Sequence, residues 1–196
     1  MTPYPVTFDV VGSMPEKYQR PQVFLRIVVA ILLGLIMPFV YLGFPILAAI
    51  WISQKGSQKF MDEDGPKMTG WLRSLVAYYA YVYMLTDKLP SDPMEEHVEF
   101  DVQRSGSPTV GSALLRLIFS IPSGIVLGIL GWVAEILWLV AAVMVLVQET
   151  YPEGIYKFMR GSVRWQARLL GYHSSLVDQY PPFALDMEPE GAGPAA

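Results

Sequence analysis

Residues 117–148 read LIFSIPSGIVLGILGWVAEILWLVAAVMVLVQ and contain one charged residue, Glu135. A second stretch, residues 27–54, reads IVVAILLGLIMPFVYLGFPILAAIWISQ and contains no charged residue. Apolar runs of this length are typical of membrane segments, because the hydrocarbon core of a bilayer is about 30 Å thick. The two stretches therefore predict two membrane segments.

The composition of the 196-residue chain also favours a membrane protein. Hydrophobic residues make up 53% of the chain and charged residues only 16%, against about 25% charged residues in soluble domains. The net charge of −4 argues against a nucleic-acid partner, which would require a basic surface. The absence of cysteine excludes disulfides and thiolate chemistry.

Each apolar stretch is too long for one straight crossing of a bilayer. A single helix over residues 117–148 would measure about 48 Å, well above the thickness of the hydrocarbon core. A break near Gly131 predicts a hairpin of two short helices in the second stretch. Pro38 and Pro45 predict a similar hairpin in the first stretch, either spanning or re-entrant.

The placement of charge supports the hairpins. All 14 Lys and Arg residues lie outside the two apolar stretches, and hairpins would keep them on one side of the membrane. Two single spans would instead export residues 53–115 with their basic side chains. By the positive-inside rule we expect a multi-pass protein of the bacterial cytoplasmic (inner) membrane, with both termini in the cytoplasm.

The chain repeats one pattern of residues at an offset of 90 to 92 positions. Apolar bias alone does not produce ordered matches of Asp, Arg and Tyr in the polar flanks, so the sequence predicts a duplication. The two strand-like segments could pair with each other about a pseudo-twofold axis along the membrane normal. The matched sets are Val6, Phe8, Asp9 and Val10 with Val98, Phe100, Asp101 and Val102; Leu25, Arg26, Ile31 and Gly34 with Leu115, Arg116, Ile121 and Gly124; and Met68, Gly70, Arg73, Tyr81, Leu85, Asp87 and Pro90 with Met159, Gly161, Arg164, Tyr172, Leu176, Asp178 and Pro181.

The predicted fold class is an all-α membrane protein built from two tandem repeats. Each repeat contains a short strand, a transmembrane helical hairpin and an amphipathic or buried helix. The predicted bounds are repeat 1 over 1–92, with a hairpin over about 23–53 and a helix over about 67–88; repeat 2 over 93–186, with a hairpin over about 113–148 and an interfacial amphipathic helix over about 152–178; and a disordered tail over 187–196.

The second repeat resembles a known family over residues 97–186, the bacterial membrane family called domain of unknown function 4389. The first repeat resembles it as a divergent copy, with Leu89-Pro90-Ser91-Asp92 in place of Tyr-Pro-Pro-Phe. The resemblance implies a helical membrane protein and carries over no catalytic residue. The residues that carry it are Leu115-Arg116, Ile121-Pro122, Tyr151-Pro152-Glu153-Gly154, Arg164-Trp165, Arg168, Tyr172 and Asp178-Gln179-Tyr180-Pro181-Pro182-Phe183.

The helix predicted after the second hairpin has a basic side and an apolar side. Lys157, Arg160, Arg164 and Arg168 share the basic side. Such a helix would lie in the membrane interface, where each cation would gain about 1 kcal/mol from anionic lipid headgroups, or would contact a partner. For Arg164 and Arg168 the alternative is an ion pair with an Asp or Glu of the other repeat.

Small residues recur at every fourth position of the apolar stretches. Ser120, Gly124 and Gly128 follow this spacing, and Ala30 and Gly34 occupy the equivalent places in the first repeat. This spacing predicts close helix packing, within the chain or between chains. The alternative is that membrane helices merely tolerate these glycines.

Glu135 is the one ionisable residue inside an apolar stretch. Such a residue is a candidate for an ion or proton path. The alternative is a carboxylate at the membrane interface, because Trp132 and Trp138 flank it and tryptophan is enriched there.

The sequence shows no paired acid and base, no phosphate-binding loop and no metal-ligand spacing, so we expect no enzyme, no cofactor and no metal site. It favours a non-enzymatic accessory or scaffold subunit, or a lipid-organising protein. The expected partners are anionic membrane lipids and either a larger membrane complex or further copies of the chain, with no nucleic acid. The alternative is an oligomeric ion, proton or lipid transport component that uses Glu135.

Overall fold

The computed structural model describes residues 4–89 and 97–186. This part of the chain is mostly helical, with two long apolar helical rods and one two-stranded sheet. The elements in chain order are β1 (Val6–Val10), α1 (Arg20–Lys55), α2 (Ser57–Lys59), a π-helical turn (Phe60–Asp64), α3 (Gly65–Val82), β2 (Val98–Val102), α4 (Val110–Phe119), α5 (Ile121–Gln148) and α6 (Glu153–His173). The predicted tail over 187–196 lies outside the described residues.

Neither apolar stretch folds back on itself. α1 continues through Pro38 and Pro45, and α5 continues through Gly131. The hairpins predicted over about 23–53 and about 113–148 are therefore wrong. A proline inside a helix removes one backbone hydrogen bond, whereas a turn would leave several N–H and C=O groups unpaired among apolar side chains.

The second apolar rod is interrupted at Ser120, between α4 and α5. Pro122 follows this residue at the start of α5 and has no N–H to donate to the carbonyl four residues earlier. α4 itself begins with a capping box, in which the Thr109 and Ser112 side chains each accept the other residue's backbone N–H. The two helices together form one rod that we call α4–α5.

The two shorter helices end sooner than the sequence predicted, at Val82 rather than about 88 and at His173 rather than about 178. Each is followed by a left-handed residue, Met84 with φ 59° after α3 and Ser175 with φ 64° after α6. The N–H of the next residue then donates to a helix carbonyl five positions back, which closes the helix end. Pro90, which the repeat matches with Pro181, lies outside the described residues.

The two strands pair, as the sequence predicted. β1 and β2 are antiparallel, with Phe8 opposite Phe100 at the centre and Val6 opposite Val102 at one end. The valine and phenylalanine side chains are buried, while the alternating polar side chains face away from the core. We call this pair the ribbon. Its register places a pseudo-twofold axis through the central phenylalanine pair.

The protein is built in three layers. The first holds α1 and α4–α5 side by side and antiparallel, since the N–H of Tyr18, just before α1, donates to the carbonyl of Glu149, just after α5, at 3.0 Å. The second layer holds α3 and α6, and the third is the ribbon. Arg73 of α3 donates to the Phe100 carbonyl and Arg164 of α6 to the Phe8 carbonyl, both at 3.1 Å.

The first layer turns a wide apolar surface outward, which we call the outer face. Both rods are long and apolar enough to cross a membrane. Only 22% of the most apolar 18-residue segment of each rod is buried within the protein. The core helix of a soluble domain would be mostly buried. The outer face comprises Phe24, Val28, Ile31, Leu35, Phe39, Leu42, Ile46 and Ile50 of α1 with Leu114, Ile118, Ile121, Ile125, Ile129, Trp132, Ile136, Leu139 and Val143 of α4–α5.

Candidate functional site

A cleft of about 570 Å³ opens between α1, α5 and the end of α3. Apolar side chains of the two long rods form most of its wall. Its lining also includes Glu135 and Trp138 of α5 and Tyr79 and Tyr83 from α3 and the residue after it. Trp138 donates its indole N–H to the Val82 carbonyl at 2.7 Å, which holds α5 against the end of α3.

The phenols at this cleft are held in their protonated form. Burial raises the pKa of Tyr83 above its ordinary value, and the nearby Glu135 carboxylate raises it further, against a hydrogen bond from Gln166 that lowers it. Burial likewise raises the pKa of Tyr79. The two hydroxyls therefore remain hydrogen-bond donors at neutral pH.

Glu135 stands at this cleft without an ion-pair partner among the described residues. Its side chain is exposed, in a stretch of α5 that is otherwise without charge. The sequence singled out Glu135 but did not predict that Tyr79, Tyr83 and Gln166 reach the cleft and its margin from other helices. The run of tyrosines could be interpreted as a cofactor site, but packing and membrane anchoring were the favoured interpretation of those side chains.

The basic residues of α6 lie inside the protein. Arg164 is fully buried and pairs with Asp9 at 3.1 Å, and Arg168 is buried and pairs with Asp186. Arg160 is buried too, with its guanidinium 4.0 Å from Asp9. The prediction of an interfacial helix is therefore wrong for α6, because the ribbon and the segment after the helix cover its basic side. For Arg164, the alternative of an ion pair with the other half of the chain holds.

Lys157, at the start of α6, is the one member of the predicted basic stripe that keeps substantial exposure. Its ammonium pairs with Glu153 one turn earlier, at 3.1 Å, with 35% of the side chain exposed. Contact between Lys157 and a lipid headgroup stays a prediction.

The small residues do not join the two rods as predicted. A Cβ atom added at Gly34, Gly124 or Gly128 would meet no neighbouring atom within 4 Å. All three glycines are exposed, and Gly34 lines the cleft. Close packing within the chain is therefore wrong for these three, and contact between chains stays a prediction. Ala30 lines the cleft, and Ser120 is buried with its hydroxyl 2.8 Å from Nδ1 of His173.

Two buried arginines anchor the long rods to the second layer. Arg26 donates to the carbonyls of Tyr81 and Thr86, each at 2.9 Å, and pairs with Asp87 at 2.5 Å. Its guanidinium lies over the Tyr81 ring, 4.9 Å from the centroid. These four residues form the Arg26 site, which binds the left-handed turn that ends α3.

Arg116 forms the same set of contacts in the second half of the chain. It donates to the carbonyls of Tyr172 and Val177 and to the Asp178 carboxylate, each at 2.5 Å. Its guanidinium lies 4.6 Å from the centroid of the Tyr172 ring. Each residue of this Arg116 site corresponds to one of the Arg26 site at an offset of 90 or 91 positions.

His173 joins the end of α6 to both rods. Its Nδ1 lies beside the Ser120 hydroxyl, and its Nε2 is hydrogen-bonded to the Tyr41 carbonyl. A neutral ring with its proton on Nε2 satisfies both contacts. Burial lowers the pKa of His173 below its ordinary value, and the charge of Arg116 lowers it further, against the hydrogen bond to Tyr41.

We expect this histidine to make stability depend on pH. Because its folded pKa lies below the unfolded value of about 6.5, the unfolded chain takes up a proton first as the pH falls. The His173 contribution is complete above about pH 6.5 and declines below it, by up to about 1.4 kcal/mol per pH unit, until the folded pKa is reached. Thermal unfolding in mild detergent, compared between the wild type and His173→Gln, measures this; an equal pH dependence in both would contradict it.

Comparison with known proteins identifies part of the chain. Residues 111–184 match the family model described as "Domain of unknown function (DUF4389)". The chain thus contains one such domain, which covers α4–α5, α6 and the segment that follows, and the resemblance predicted for the second repeat is confirmed over these residues. The match does not extend to a second copy. No curated protein and no solved structure matches the chain.

Proposed function

We propose that this chain is a non-enzymatic membrane scaffold, which binds lipid through its long rods and serves as an accessory subunit or as a lipid-organising element. The observation that carries this proposal is that the first layer exposes apolar side chains, whereas the third layer, the ribbon, exposes charged ones. The outer face is apolar, whereas the ribbon exposes the carboxylates Glu99 and Asp101 on its opposite side. An apolar surface of this extent marks a lipid or protein contact.

We further propose that the first half of the chain is a diverged second copy of the domain. The equivalence of the Arg26 and Arg116 sites supports this proposal. The contacts of Arg73 and Arg164 with the two central strand carbonyls support it too, because both arginines and both carbonyls correspond at offsets of 91 and 92 positions. The left-handed residues Met84 and Ser175 correspond in the same way.

The proposed location is the bacterial cytoplasmic membrane, with the second layer, the ribbon and both termini in the cytoplasm. The confinement of all 14 Lys and Arg residues to segments outside the two apolar stretches supports this orientation. The proposed partners are anionic lipids and either a larger membrane complex or further copies of the chain.

The scaffold proposal is tested by purification from native membranes in mild detergent, without overexpression, followed by mass determination of the intact particle. We expect the chain to stay with the membrane fraction through alkaline carbonate washing and to retain lipid, a stoichiometric protein partner or a second copy. Release by carbonate as a lipid-free monomer would overturn the proposal.

A second candidate function is transport of an ion, proton or lipid through an assembly of several copies. The position of Glu135 at the cleft, with Tyr79 and Tyr83 as neighbouring donors, favours this candidate. Reconstituted vesicles should then show a flux that Glu135→Gln lowers at least about tenfold, as expected for loss of an essential charge. Glu149→Gln is the matched control, because Glu149 lies outside the cleft and pairs with Arg20. An equal flux in Glu135→Gln and in the wild type would exclude the proposed role of Glu135.

A further inference from the structure

The contacts between the layers constrain how the rods can meet a membrane. Because α1 and α4–α5 are antiparallel, two upright crossings would place residues 4–19 and 149–186 on one side of the bilayer. Residues 56–109 would then lie on the other side. Any contact between these two groups would have to form through the bilayer.

Such contacts occur throughout the fold. β1 of the first group pairs along its whole length with β2 of the second. The Tyr151 hydroxyl donates to the Tyr83 carbonyl at 2.8 Å, and the Ser105 N–H donates to the Leu176 carbonyl at 3.0 Å. The two groups form one packed unit, so they lie on the same side of a membrane.

The charge of the ribbon leads to the same conclusion. The Arg26 and Arg116 sites lie towards opposite ends of the antiparallel rods, and the ribbon's pseudo-twofold axis relates these two ends. Upright rods would therefore hold the ribbon near the middle of the bilayer. Its exposed carboxylates Glu99 and Asp101 would then face hydrocarbon, which costs several kcal/mol for each charge.

We infer that both rods lie in the plane of one leaflet, with the outer face against the acyl chains and the other two layers on the cytoplasmic side. This inference rests on the membrane association proposed above. The 36 residues of α1 span about 54 Å, and two rods about 10 Å apart cover roughly 1,000 Å². The pseudo-twofold axis then follows the membrane normal.

This orientation accounts for the rod lengths and for the distribution of the basic residues together. A helix that lies in the membrane plane has no length limit from bilayer thickness, so α1 needs no turn. Every Lys and Arg outside the apolar stretches stays on one side without a hairpin. The occupant of the outer face is the hydrocarbon of one leaflet, because this face carries large apolar side chains over the whole length of both rods.

Cysteine labelling tests which side of the membrane each segment occupies, since the chain contains no native cysteine. Each variant carries one cysteine at an exposed position. Glu16→Cys and Glu153→Cys report on the first group, and Gln58→Cys and Ser107→Cys report on the second. An impermeant maleimide should label none of the four in intact spheroplasts and all of them after lysis. Labelling of one group from outside and the other only after lysis would establish upright spans and overturn the inference.

Depth measurement tests the orientation of the rod itself. The labelled positions lie along the outer face of α1 and are introduced one at a time, as Val28→Cys, Phe39→Cys and Ile50→Cys. Each variant carries a fluorophore on its cysteine and is placed in vesicles whose lipids are brominated at defined depths. We expect all three to be quenched at one shallow depth. An upright rod would place Phe39 about 16 Å deeper than its neighbours 11 residues away, and that result would overturn the inference.

Asp101→Cys on the ribbon is the matched control and should escape quenching by every brominated lipid. Quenching at Asp101 would also overturn the inference. If none of the outer-face positions were quenched and a cross-linker instead joined two copies through this face, a second copy would be the occupant and the inference would fail. The two failures are distinct, because unequal depths in a carbonate-resistant protein overturn the orientation alone, whereas loss of membrane association overturns the proposed function.

Discussion

Replacement of Arg116 by leucine is expected to lower the free energy of unfolding by about 2–6 kcal/mol, at about 1–3 kcal/mol for each of two buried carbonyls left without a donor. The substitution removes three hydrogen bonds from the Arg116 site and leaves the carbonyls of Tyr172 and Val177 without their donor. Leucine supplies no donor, and the site is too enclosed for bulk water to replace the guanidinium. Denaturant unfolding in mild detergent, followed by circular dichroism, measures the loss.

Arg26→Leu should cause a loss of similar size, because the Arg26 site has the same donors and acceptors. Arg20→Leu is the matched control on the same rod. Arg20 is half exposed and pairs with Glu149 at the surface, so its loss should cost at most about 1 kcal/mol. Equal, small effects at all three positions would show that the two buried sites do not hold the rods to the second layer.

The sequence placed both arginines in the repeat but could not reveal what they bind. Most of their partners are backbone carbonyls at a helix end. Every residue has a backbone carbonyl, so the residue types do not show which carbonyl an arginine binds. The strand pairing was easier to predict, because Phe8 and Phe100 lie in short alternating segments at the repeat offset. Period-two patterns report the buried side of a strand directly.

The hairpin prediction failed for a physical reason. It compared helix length with bilayer thickness, and that comparison applies only to a helix that crosses the membrane. Pro38 and Pro45 were interpreted as breaks, but each occupies the helix interior at the expense of one hydrogen bond. Hydropathy predicts that a segment meets lipid and does not predict the angle at which it does so.

The prediction for α6 failed because amphipathicity does not identify what covers the polar side of a helix. Arg164 pairs with Asp9 from the other half of the chain, and Arg168 pairs with Asp186 in the segment after α6. A helix whose charged side contacts protein carboxylates has the same residue periodicity as a helix whose charged side contacts lipid headgroups. The alternative of ion pairing could be listed from the sequence but not chosen.

Gly161→Ala in α6 is expected to lower the free energy of unfolding by about 1–3 kcal/mol, the usual effect of overpacking a filled contact. A Cβ atom at Gly161 would overlap the carbonyl oxygen of Leu185, a backbone atom that can move only with its segment. Movement of that segment would also draw Asp186 away from Arg168. The normal gain in helix propensity from glycine to alanine, about 1 kcal/mol, is too small to offset both losses.

Gly70→Ala is the matched control for this prediction, because Gly70 of α3 corresponds to Gly161 at an offset of 91 positions. A Cβ atom at Gly70 would meet no neighbour within 4 Å, so only the helix-propensity gain remains there. Thermal unfolding of the two variants in the same detergent should therefore give shifts of opposite sign, upward for Gly70→Ala and downward for Gly161→Ala. Stabilisation of both would mean that the segment around Leu185 does not pack on α6, and the burial of Arg168 by this segment would fail with it.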